Sequence, residues 1–131
     1  MRSILVTRIP RFAILLLVCA CTERPLPPDC GNQCEPYGPE FPGVGECQEG
    51  QCTPTFFECF AKDEYDTCSA ACAAAGSVCA ENQCADSTYL ITVHIDSCLE
   101  PETVGVARKG GCDEPIGWQV NTGARCCCEQ L

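Results

Sequence analysis

Sixteen cysteines, one histidine and eighteen carboxylates are the residues of this 131-residue chain that could carry chemistry. The cysteines stand at 19, 21, 30, 34, 47, 52, 59, 68, 72, 79, 84, 98, 112, 126, 127 and 128. As thiolates they would ligate a soft metal, but a zinc knuckle wants C-x2-C. The close spacings here are x3, x4, x6 and direct neighbours. Redox catalysis wants a C-x2-C at a helix N-terminus, and Cys68 offers only C-x3-C with Cys72. His94 has Asp96, Ser87 and Ser97 nearby, but there is no G-x-S-x-G turn to present a nucleophile. Asp63-Glu64-Tyr65-Asp66 lacks the alternating ligands and glycine of a calcium loop. The carboxylates form no assignable acid–base pair by sequence alone. The expectation is no enzyme, no cofactor and no resident metal. Thiolate metal binding stays as an alternative, to be recognised by free thiols.

Disulfides are then the main use of the sulfur. Sixteen cysteines in 131 residues exceed the ~8–10% that marks a disulfide scaffold. On a strand, Cys126 and Cys128 point to one face and Cys127 to the other. On a helix, Cys68 and Cys72 are i and i+4 and share a face. Two parallel disulfides can therefore bolt such a helix to such a strand. Thr67–Ala75 (TCSAACAAA) favours helix, with Asp66 as the expected N-cap and Gly76 at C′. Thr88–Ile95 (TYLITVHI) alternates and predicts a strand: Tyr89, Ile91, Val93 and Ile95 on one face, Thr88, Leu90, Thr92 and His94 on the other. Shorter strands are expected at Thr103–Arg108, Ile116–Val120 and Ala124–Glu129, making an antiparallel sheet of three or four. Trp118 is expected in the small core.

Ahead of these elements lies a second cysteine group, C-x3-C-x12-C-x4-C from Cys30 to Cys52. Glu35–Gly43 holds three prolines and two glycines, which excludes helix or central strand and predicts a rigid loop. A binding loop needs that pre-organisation. Gly45–Cys52 reads as a hairpin turning at Glu49-Gly50 and resembles half of an EGF-like module. Crossed or nested pairing of 30/34 with 47/52 is expected over adjacent pairing. Thr53–Phe60 joins the two parts, with Phe56, Phe57 and Phe60 expected to pack against the helix and a partner-binding patch as the alternative reading of the cluster.

The N-terminus speaks to compartment. Arg2, Arg8 and Arg11 precede a nine-residue apolar run, Phe12–Ala20. A bilayer span takes ~20 residues, so the run suits a signal-peptide core. Val18-Cys19-Ala20-Cys21 resembles a bacterial lipobox, which implies a diacylated or triacylated, palmitate-bearing Cys21. An ordinary secretory cut at the same bond is the alternative. Parity agrees with acylation: cleavage leaves fifteen cysteines, and lipid on Cys21 leaves fourteen to pair. Thr22 after the cysteine implies outer-membrane delivery. Thr22–Asp29 is a Pro-rich tether. The chain beyond the signal keeps five basic residues against eighteen acidic ones, a formal −13. Such a surface repels phosphate backbones, so no nucleic-acid partner is expected, and membrane lysis is excluded with it.

The C-x3-C of Cys68 and Cys72 with the C-x-C of Cys126 and Cys128 resembles the cysteine-stabilised αβ scaffold of defensins and scorpion-type toxins, with a much longer insertion. In style the whole chain resembles the cysteine-rich lipoproteins of myxobacterial-type genomes. The expected organisation is a lipoprotein signal peptide (1–20), a tether (21–29), a small Cys-rich loop and hairpin module (30–54), and a disulfide-rich α+β domain (55–131) with one short helix stapled to a small antiparallel sheet. The disulfide candidates are Cys30, Cys34, Cys47, Cys52, Cys59, Cys68, Cys72, Cys79, Cys84, Cys98, Cys112, Cys126, Cys127 and Cys128. The expected role is non-enzymatic, surface binding or structural, in a bacterial cell envelope. Its partners would be the membrane through the lipid and an extracellular protein or glycan. A secreted protease inhibitor or toxin-like effector is the alternative.

Overall fold

The computed structural model describes residues 30–31, 33–99 and 105–130. The expected signal peptide, the tether, Cys19 and Cys21 lie outside the described residues. The elements in order are β1 (Cys47–Gln48), β2 (Gln51–Cys52), β3 (Thr55–Phe56), β4 (Phe60–Ala61), α1 (Cys68–Ala74), β5 (Tyr89–Thr92), α2 (Ile95–Leu99), β6 (Val106–Arg108) and β7 (Gly123–Cys128). The fold is small, disulfide-rich α+β.

β7 organises the sheet. It pairs antiparallel with β5 on one side, and with β3 and β4 on the other. β6 closes the far edge against β5. The sheet thus has five strands rather than three or four, because the joining segment Thr53–Phe60 contributes β3 and β4. The register sets Phe56 opposite Cys127 and Phe60 opposite Ala124. Three residues, Phe57 to Cys59, lie between those positions on one strand, against Arg125 and Cys126 on the other. The extra residue makes a bulge, which splits the edge into two short strands.

Alternation along β7 divides the core in two. Cys126, Cys128 and Ala124 join Phe60, Cys68, Cys72, Ile91 and Ile116 on the α1 side. Cys127 joins Val44, Phe56, Ala80, Cys84 and Leu90 on the other. Phe60 therefore packs toward the helix as expected. Phe56 faces the opposite cluster, where its ring meets Tyr37 and Phe41 at 5.0 and 5.5 Å. Phe57 is half-buried at the bulge.

The helix begins one residue later than Asp66 would allow. Thr67 is the N-cap, and its Oγ1 accepts from the Ala70 amide at 3.2 Å. Asp66 instead lends its carbonyl to the Ile116 amide at 2.9 Å. Gly76 sits at C′ with φ +75°, donating to the Ala73 carbonyl while Ser77 donates to that of Cys72. Those two bonds form a Schellman cap. At seven residues the helix is too short to persist by itself.

The strand expected over Thr88–Ile95 stops at Thr92. The Thr92 hydroxyl donates to the His94 carbonyl, and the Ile95 amide donates to Thr122 Oγ1. The chain then turns into α2, a single turn that carries Cys98 back to Cys59. Val93 is left exposed. No strand forms over Ile116–Val120 either. Ile116 is buried, but Trp118 donates back to its carbonyl, Asn121 donates to that of Trp118, and Gln119 takes φ +46°. Such tight local turns leave no extended run. Trp118 lies against the core, edge-on to Phe60 at 5.8 Å, and is half-buried. Of the strand expected at Thr103–Arg108, β6 forms Val106–Arg108, and residues 103–104 lie outside the described residues.

In the first module β1 and β2 pair as a hairpin, with Glu49 and Gly50 at φ 51° and 79° as in a two-residue type I′ turn. Among the described residues no disulfide crosses residue 55. Packing does cross it. Gln130 donates to the Thr53 carbonyl and accepts from the Glu35 amide, both at 2.8 Å. Gly45 (φ +71°) lies so close to Glu35 that a Cβ there would overlap the Glu35 carbonyl oxygen. Gly45→Ala is expected to cost at least about 2 kcal/mol, measurable as a lower denaturant midpoint under oxidising conditions.

Candidate functional site

The described cysteines form seven disulfides: 30–47, 34–52, 59–98, 68–126, 72–128, 79–112 and 84–127. The helix cysteines meet the two same-face cysteines of β7, at Cα separations of 5.4 and 5.7 Å. Cys127, on the opposite face, meets Cys84 from the turn after α1. In the hairpin module the pairing is crossed. The sulfurs of Cys30, Cys34 and Cys52 come within 4.8 Å of one another, but they belong to two disulfides and offer no thiolate to a metal.

The other candidate groups serve the backbone. His94 is exposed in the bend after β5, not mid-strand, and its carbonyl starts α2 by accepting from Cys98. Ser87 is buried and its hydroxyl donates to the Ala85 carbonyl. The residues of the Asp63–Asp66 run are exposed apart from the half-buried Tyr65. The Pro-rich loop turns its aromatic residues inward: Tyr37, Phe41 and Phe56 stack edge to face in a closed trio. Such pairs contribute about 0.5–1.5 kcal/mol each beyond area burial. Pro36, Pro39, Glu40 and Pro42 remain exposed.

Two features escape a sequence reading. The first is Arg125. Its guanidinium donates to the Phe57 carbonyl at 3.1 Å and to the Cys98 carbonyl at 2.8 Å, and it lies 5.8 Å from the centre of the Tyr37 ring. One cation thereby ties the bulge, the end of α2 and the Pro-rich loop together. Burial pushes the Tyr37 phenol above the ordinary 10.0; Arg125 opposes that rise and Glu40 adds to it.

The second is an open groove of about 560 Å³ between the β3–β4 edge and α1. Phe57, Phe60 and Tyr65 give it aromatic walls, and the alanine face of α1 closes one side. Glu35, Glu58 and Glu64 line it as well. The only sequence signal for it is the FFECF run, where an acid stands among three aromatic residues. The framework is that of a disulfide-stapled α+β domain. No family model, curated protein or solved structure matches the chain.

Tyr37 supplies a pH test. Its raised pKa means the neutral phenol is favoured in the folded state. Stability from this group is therefore full below the unfolded value of about 10 and is lost as pH rises through the folded value. A phenolate absorbance titration should show a late-ionising phenol, and Tyr37→Phe should remove that step.

Proposed function

We propose that this chain is an exported, lipid-anchored protein of a bacterial cell envelope, with a binding or structural role rather than an enzymatic one. The observation that carries the reading is the complete pairing of the fourteen described cysteines. Disulfides of this density belong to oxidising compartments. With that pairing, cleavage before Cys21 leaves one cysteine over, and the lipobox-like Val18–Cys21 makes it the acyl acceptor. The Pro-rich tether then holds the folded part near the outer-membrane surface. The acidic surface suits a soluble domain that faces extracellular proteins or glycans and rejects nucleic acid.

A secreted inhibitor or toxin-like effector is the second reading, favoured by the observed helix-to-strand staple. It differs in having no lipid. The deciding measurement is the intact mass of the protein from membrane and medium fractions, with and without thiol alkylation. The expected result is an acylated N-terminus at Cys21, membrane association and no alkylation. Cys21→Ser should abolish the acylation and keep all seven bridges. An unacylated, fully oxidised chain in the medium would favour the effector. Several alkylatable thiols would overturn both readings and make thiolate metal binding the leading one.

A further inference from the structure

The groove beside α1 combines features that no structural role requires. Phe57 is half-buried at a sheet edge, beside Tyr65. Glu58, at the bulge, is exposed and makes no hydrogen bond with any described residue. The carboxylates of Glu35, Glu58 and Glu64 have no cationic partner among the described residues. Arg125 is the one guanidinium lining the groove, and both of its terminal nitrogens are committed to carbonyl oxygens. Three acidic residues without a cationic partner among the described residues thus line a groove walled by aromatic rings.

We infer that this groove binds an extended, basic segment of a partner protein. Ammonium or guanidinium heads would sit among Glu35, Glu58 and Glu64, and the rings of Phe57 and Tyr65 would take the aliphatic stems. The small side chains of Ala71 and Ala74 let a backbone approach α1 closely. The bulge leaves the Glu58 main chain open to an added strand at the sheet edge. The chain's negative charge would steer such a segment toward the site, and the local carboxylates would fix its position. This deepens the binding role proposed above and rests on it, but it does not depend on the lipid anchor.

The test uses the full oxidised protein, purified from whichever fraction holds it, membrane (in neutral detergent) or medium, and a fluorescein-labelled Lys-Leu-Lys-Leu-Lys peptide. Anisotropy should rise on binding and fall with added salt. Trp118, the single tryptophan, packs on Phe60 of the groove, so its emission should change on the same binding curve. Glu58→Lys with Glu64→Lys should weaken binding about tenfold without changing the thermal midpoint or the disulfide count. Glu46→Lys with Asp113→Lys, exposed and outside the groove, should bind as the parent does. No binding, an equal loss in the two double variants, or displacement by a neutral oligosaccharide such as cellotetraose would overturn the inference. Failure here leaves the mass result untouched, and an unacylated chain leaves the groove test intact.

Discussion

Three consecutive cysteines on one strand impose the constraint on which the rest of the structure depends. Successive side chains of a strand point to opposite faces. Cys126 and Cys128 must therefore be met from one side and Cys127 from the other. The helix cysteines Cys68 and Cys72 do the first, and Cys84 does the second. The strand is thereby clamped between two layers and cannot slip register, because a shift of one residue would exchange the faces of all three sulfurs. Bridges that close loops of 58 and 56 residues are each worth about 4 kcal/mol in the chain-entropy view when taken alone. Once one is formed, the other closes only a small ring and adds about 2 kcal/mol. The second bridge therefore does more for the orientation of α1 than for stability. A seven-residue helix held by one bond could swing, and held by two it cannot.

The same strand carries the one cation that organises the opposite end. Arg125 stands between Ala124 and Cys126 and meets the unpaired carbonyl that the bulge creates at Phe57. The bulge, the end of α2 and the Pro-rich loop come from distant parts of the sequence. A long side chain with five donors in a fixed fork can serve such carbonyls at once, which a lysine could not do as well. The aromatic trio of Tyr37, Phe41 and Phe56 adds the apolar half of that junction. The hairpin module is thus covalently closed on itself and docked on the larger part by rings and hydrogen bonds.

Covalent and periodic signals were legible, and tertiary competition was not. The i, i+4 spacing of Cys68 and Cys72, the alternation of Cys126 to Cys128 and the Glu49-Gly50 turn each carry their geometry in local chemistry. The staple, the helix and the hairpin could be placed from them. Tyr89 to Thr92 kept the expected alternation, but beyond them the hydroxyls of Thr92 and Thr122 capture backbone groups and bend the chain. Nothing in TVHI announces that, since threonine is also a good strand former. Asp66 lost the cap to Thr67 because Ile116 claims its carbonyl from fifty residues away. Short strands such as Thr55–Phe56 exist only because Cys127 and Cys128 lie opposite them, so no periodicity could reveal them. The groove is a consequence of that pairing and was hidden for the same reason.

Charge explains why covalent bonds had to dominate. The chain beyond residue 21 sets five cations against eighteen carboxylates. Self-repulsion on that scale disfavours a compact state. Among the described residues outside the bridged cysteines, the largest fully buried side chains are Leu90, Ile91, Val44 and Thr88. A core that small supplies little against conformational entropy. Disulfides are indifferent to surface charge, because they act largely on the unfolded chain. A domain stapled this way is free to keep acids that an ordinary small core could not tolerate, including acids placed beside half-buried aromatic rings. The sulfur framework and the acidic surface are thus linked: the first removes the stability cost of the second.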